Sequence, residues 1–127
     1  MATQKKNLIY EDLTYKIIGC AFEVHKELGS GFLESAYEPA MKIELQGAGF
    51  KVISQQRFPL LYKGIKIKDF ICDLVVEDKI IIELKAISRI TDIERAQLLN
   101  YLKVTGLKVG LIINFDQTSL KYERMVL

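Results

Sequence analysis

The sequence predicts an α/β fold of mixed α+β character, with element order α-β-β-β-α-β and a central mixed four-stranded sheet flanked by helices. Three observations predict it. Apolar residues recur at helical spacing near the start and again after residue 91. Three extended segments joined by tight turns fill the middle of the chain. A wholly apolar run from Lys108 to Phe115 then follows the later helix, as strands reached by a helical crossover do. With 127 residues, half of them apolar and 27% charged, the chain is expected to form a single domain over residues 1–127 with an ordinary core.

The first helix is expected from Leu13 to Leu28, because Leu13, Ile17, Cys20, Ala21, Val24 and Leu28 share one face, with Asp12 as N-cap and Gly29 as stop. Ser30 is placed to cap a second helix running to about Gln46, with Leu33, Tyr37, Ala40, Met41 and Leu45 apolar and Gly47 and Gly49 ending it. Pro39 removes a backbone donor inside that helix, so it is kinked near Ser35 or starts later than Ser30 suggests. Extended segments follow at Phe50 to Leu61, Ile65 to Val76 and Ile80 to Ala86, with Lys63-Gly64 as the first turn and the Asp78 region as the second. Pro59 marks the first segment as an edge strand or a bulged one. Thr91-Asp-Ile-Glu94 reads as a capping box opening a helix to about Val104 that Gly106 ends. Its core stripe is expected at Ile93, Ala96, Leu99 or Asn100, and Leu102. The tail from Ser119 to Leu127 alternates weakly and suits an added edge strand.

Composition excludes several classes. The longest apolar runs are strand-length, so no transmembrane helix is expected, and the start Met-Ala-Thr-Gln-Lys-Lys lacks the apolar stretch of a signal peptide; a cytoplasmic location is expected. Cys20 and Cys72 lack metal-site spacing and read as buried free thiols. The single histidine, His25, excludes a histidine-rich metal cluster and fits a boundary residue of the first helix. A net charge of +2 is too small to name a nucleic-acid partner by itself. Lys51, Arg57, Lys63, Lys66 and Lys68 nevertheless form a stretch without acids that could follow a phosphate backbone, or could equally protect an outer strand from aggregation.

The chemistry concentrates on the last two extended segments. A three-residue loop, Glu77 to Lys79, pairs Val76 with Ile80 and therefore sets Asp73 opposite Glu83. Alternation puts Lys85 on the face of Glu83, and Phe70, Cys72, Leu74, Val76, Ile80, Ile82, Leu84 and Ala86 on the other. Opposed positions about 5 Å apart make two carboxylates repel by ~3 kcal/mol at an effective dielectric near 20. Lys85 or a divalent ion held by carboxylate oxygens would offset this; a partly solvated salt-bridge face is the alternative. Glu34 and Tyr37 share one side of their helix, where Glu34 would also suit the helix dipole. Gln97 and Tyr101, four apart, form a polar and aromatic row that a solvated face would equally explain.

Taken together, Asp73, Glu83-x-Lys85 and Gln97-x-x-x-Tyr101 on these elements resemble the PD-(D/E)XK nuclease superfamily, most of all its RecB-like branch. Gly31-Phe-Leu-Glu34-Ser-Ala-Tyr37, Glu83-Leu-Lys85-Ala and Gln97-Leu-Leu-Asn-Tyr101-Leu-Lys resemble the small GxxExxY proteins of that superfamily. The likeness spans about His25 to Phe115. Cys72 stands where the superfamily's name has proline, and Pro39 interrupts the helix after Tyr37. The resemblance implies a restriction-endonuclease-like core and a metal-dependent nuclease hydrolysing phosphodiester bonds of DNA, or of RNA. It implies Mg²⁺ or Mn²⁺ held by Asp73 and Glu83, with the Leu84 carbonyl as a third oxygen, Glu34 directly or through water, and His25 as a further ligand. Lys85 would orient the attacking water, Gln97 would position water or phosphate, and Tyr37 and Tyr101 would bind phosphate or wall the site, with Lys63 and Lys66 among the substrate contacts. The alternative is an inactive nucleic-acid-binding or partner-binding module on the same fold. Exposed strand edges are ones that a symmetric homodimer could cover.

Overall fold

The computed structural model describes residues 9–127; the basic start around Lys5 and Lys6 lies outside the described residues. The elements are α1 (Glu11–Leu28), α2 (Glu34–Gly47), β1 (Val52–Tyr62), β2 (Ile65–Val76), β3 (Ile80–Lys85), α3 (Asp92–Thr105), β4 (Val109–Asn114) and β5 (Lys121–Val126). The strands form one mixed sheet in the order β1-β2-β3-β4-β5, with β3 and β4 parallel across the α3 crossover and the other neighbours antiparallel. The α/β class and the expected order hold. The fifth strand is the weakly alternating tail, which pairs along the whole of β4. No helix among the described residues is long and apolar enough to cross a membrane.

Alternation along the central strands builds two cores. Ile80, Ile82 and Leu84 of β3 and Leu111 and Ile113 of β4 pack with Ile17, Ala21 and Val24 of α1 and with Tyr37, Met41 and Leu45 of α2. The intervening Ile81 and Ile112 pack with Leu98 and Leu102 of α3 on the opposite face. Every residue of β4 is buried, as expected of a strand covered on both sides. Gly110 in its middle is required by close approach: a Cβ there would lie 2.7 Å from a methyl carbon of Leu98. Arg95 of α3 clamps the outer strand, its guanidinium donating to both carboxylate oxygens of Glu123 at 2.7 Å.

Several local expectations are corrected. Tyr10, in the left-handed region at φ 57, caps α1, and Asp12 lies in the first turn. Gly29 and Gly31 both have positive φ, 70 and 105, which excludes a helix through Ser30; α2 begins at Glu34 with no side-chain cap and carries Pro39 in its interior. On α3 the capping box forms as expected, but Ile93 is exposed and Leu98 buried in its place, because the stripe facing the sheet runs through Leu98 and Leu102. Cys72 joins the α3-side core, whereas Leu74 and Val76 join the other. The pleat of β2 therefore breaks at Asp73. Its place opposite Gln55 is missing from the β1–β2 ladder, and Gln55 has φ 55.

Candidate active site

The expected hairpin register is present, with Val76 opposite Ile80 and Leu74 opposite Ile82. Regular pairing stops there, one residue short of Asp73 and Glu83. Side chains take over the ladder: Leu84 N–H donates to Asp73 Oδ2 at 2.8 Å, and Asp73 N–H to Glu83 Oε2 at 3.5 Å. Two carboxylates thus converge where the strands part, at the C-terminal end of β3, the end at which open α/β sheets bind ligands. Both line a cleft of about 620 Å³ with Glu34, Leu84, Lys85, Gln97 and Tyr101. Lys85 Nζ donates to Gln97 Oε1 at 3.2 Å, so the Gln97 and Tyr101 row of α3 borders this open cleft.

Burial and mutual repulsion dominate the electrostatics. Glu83, only 6% exposed, has its carboxyl pushed up to about 8 by burial and then by Asp73, against the opposing pull of the Asp73 N–H and Lys85. Asp73 is raised by burial, an effect moderated by the Leu84 N–H. The pair therefore holds on to a proton near neutrality unless a cation replaces it. Burial also raises the neighbouring Cys72 thiol to about 12, with Glu83 and Asp73 adding to it, which leaves it an inert core group.

Glu34 reaches the cleft from the first turn of α2, and its Oε2 accepts the Ala86 N–H at 2.6 Å, tying the end of β3. Tyr37 is corrected as a substrate contact. It is fully buried, stacked on Phe115 at 4.3 Å, and its hydroxyl donates to the Gly29 carbonyl at 2.6 Å while accepting from Phe32 N–H at 3.3 Å. Those bonds fix the loop that delivers Glu34. His25 is not brought to the cleft: its Nε2 donates to the Gln117 carbonyl at 2.9 Å. Lys63 and Lys66 lie on the β1–β2 hairpin outside it, with Lys66 on Asp69 at 3.1 Å. Tyr101 lines the wall, edge-on to Phe70 at 5.3 Å.

Sequence reasoning placed Lys68 in a basic stretch but not at the cleft it lines, and missed Glu38, Gln55 and Asn100 as site residues. Glu38 accepts from Ser54 Oγ and Gln55 Nε2, each at 2.7 Å, and its charge further disfavours ionisation of Asp73 and Glu83. Its four-residue spacing from Glu34 was a readable signal; the left-handed turn at Gln55 was not. Asn114 was missed too. Fully buried, it pairs with both backbone groups of Ile87, at 3.0 and 2.9 Å, and so holds the segment after Lys85.

The oxygen donors suit a hard divalent ion: two carboxylates line the cleft together with Leu84. Among the described residues no three His, Cys, Asp or Glu side chains form a ready-made cage.

Residues 11–125 match the family model for the PD-(D/E)XK nuclease superfamily. Among solved structures, the crystal structure of SSO0001 superposes with a TM-score of 0.60 at 14% identity, covering 98% of this chain and 69% of that one. The crystal structure of an alkaline exonuclease from Laribacter hongkongensis gives 0.49 at 18% identity, covering 72% of this chain and 55% of that one. No curated protein matches the sequence.

Proposed function

The chain belongs to the PD-(D/E)XK nuclease superfamily, and from that premise we propose that it is a metal-dependent nuclease hydrolysing phosphodiester bonds of DNA. The observation that carries the reading is the buried Asp73 and Glu83 pair at the point where β2 and β3 part, with Lys85 and Gln97 hydrogen-bonded beside it. Two acids are kept side by side there, and ionising both carries a cost that a bound cation would remove. Asp73 and Glu83, with the Leu84 carbonyl, are the ligands for Mg²⁺ or Mn²⁺; when bound there, the ion supplies Lewis-acid polarisation of the phosphate and a more acidic water. Glu34 steadies the strand end and reaches the same space. Lys85 orients the attacking water and offsets charge on the phosphorane, while the Gln97 oxygen holds that ammonium in place. Tyr101 walls the phosphate pocket. The Glu34 and Tyr37 pair and the Gln97-x-x-x-Tyr101 row support a GxxExxY protein of the RecB-like branch.

The test is cleavage of labelled duplex and single-stranded DNA and of RNA with Mg²⁺, Mn²⁺ or chelator. Cleavage is expected only with metal, and its loss in Asp73→Ala and Lys85→Ala proteins that still melt cooperatively. Full activity in both variants removes the assignment. Nucleic-acid binding without turnover or cation uptake points instead to the inactive module.

A further inference from the structure

Beyond the cleft, β1 and β2 run on as a two-stranded ribbon. Only Leu74, Val75 and Val76 of β2 pair with β3, so, among the described residues, 65–73 have β1 as their sole strand neighbour. Tyr62, Ile65 and Ile67 near the tip are each at least 60% exposed, an arrangement no soluble hairpin gains from. Between Arg57 and Phe70 the ribbon carries Arg57, Lys63, Lys66 and Lys68 against one acid, Asp69, which Arg57 and Lys66 approach at 3.5 and 3.1 Å. Its two-residue turn has Lys63 at φ 50 before Gly64 at φ 80, a left-handed pair in which asparagine or glycine would sit without strain at the first position. The strain falls on a cation held at the very tip. The root of the ribbon is continuous with the cleft, since Lys68, Asp69 and Phe70 line it.

We propose that the β1–β2 ribbon is a DNA-engaging arm that lies in the major groove of a B-form duplex, its lysines on the flanking phosphates and Ile65, Ile67 and Tyr62 against base edges. A two-stranded ribbon fits a groove about 12 Å wide, whereas the deep, narrow major groove of A-form RNA excludes it. At ~3.3 Å per residue the arm extends roughly 20 Å from Phe70 to the turn. It therefore covers about six base pairs on one side of the cleft, at 3.4 Å per step. The direction of that footprint rests on the nuclease reading; the binding itself does not.

The experiment measures binding of the full chain to a 20-base-pair DNA duplex, the matching single strand and the matching RNA duplex, by fluorescence anisotropy in chelator across a salt series. Wild type is expected to prefer the DNA duplex. Lys63→Ala/Lys66→Ala should weaken that binding at least tenfold and lower the slope of log K against log salt by about 2. Ile65→Ser/Ile67→Ser should weaken it severalfold with the slope kept. Lys103→Ala/Lys108→Ala, exposed lysines away from the arm, should change neither. Unchanged binding in both arm variants, equal loss in the control, or equal affinity for RNA duplex or single strand each overturns the proposal. Metal-dependent cleavage by wild type, scored separately, reports on the nuclease reading, so the two can fail independently.

Discussion

Replacing Glu83 by glutamine removes a buried acid whose ionisation the fold disfavours, while keeping an oxygen to accept the Asp73 N–H. The folded carboxyl ionises near 8 rather than at its ordinary 4.5. Below pH 4 both folded and unfolded chains are protonated and the group is neutral to stability. Between about pH 4.5 and 8 the unfolded chain loses the proton that the fold retains, so wild-type stability falls as pH rises and levels off above 8. At ~1.36 kcal/mol per unit, the deficit at pH 7 is about 3 kcal/mol, worth roughly 10 °C in Tm for a chain this size. Glu83→Gln is therefore expected to melt higher than wild type at pH 7 and alike at pH 4, by calorimetry in chelator. Saturating Mg²⁺ should narrow the gap, since an ion that binds the ionised pair stabilises the wild type by about 2.7 kcal/mol at a hundred times its Kd and the variant far less. A variant that melts lower than wild type throughout pH 4 to 8, or a gap that ignores pH, would refute a carboxyl held neutral by burial.

Three further outcomes follow from packing. Tyr37→Phe loses both hydroxyl bonds to the loop before Glu34 and should cost about 1–2 kcal/mol in denaturant melts, with cleavage reduced through Glu34. Gly110→Ala forces a methyl onto Leu98 and should cost about 1–3 kcal/mol, a penalty that Leu98→Ala in the same chain relieves in part by double-mutant cycle. Asn114→Ala orphans the two backbone groups of Ile87 and should cost about 2–4 kcal/mol, with faster hydrogen exchange in residues 86–90.

What could be read from the sequence was whatever local periodicity governs. The Glu77 to Lys79 loop was enough to set Val76 opposite Ile80 and so to bring Asp73 beside Glu83, and the apolar run at β4 announced a strand covered on both faces. The Thr91 and Glu94 cap and the Lys63-Gly64 turn were equally visible, because each is decided within four residues. The errors arose where tertiary contact overrode the local rule. Cys72 left its expected face because the pleat breaks opposite Gln55, and nothing in Gln55 itself foretells a left-handed backbone. Ile93 and Leu98 exchanged places because the rotation of α3 is set by Gly110, twelve residues beyond Leu98. Tyr37 and Glu34 were legible as a pair, yet which of them turned inward depended on Phe115, across the fold. His25 likewise met Gln117, ninety-two residues away.

The hairpin arm is tethered to the platform only at its root, and that governs how it can diverge. Because side chains on a strand repeat every second residue, lengthening each strand by two keeps every outward position outward, whereas adding one inverts the surface beyond the insertion. The bulge between Leu60 and Leu61 is one such odd step already absorbed. Reach and recognition can thus be retuned in even increments or by exchanging the turn, leaving the carboxylate cleft at the root untouched.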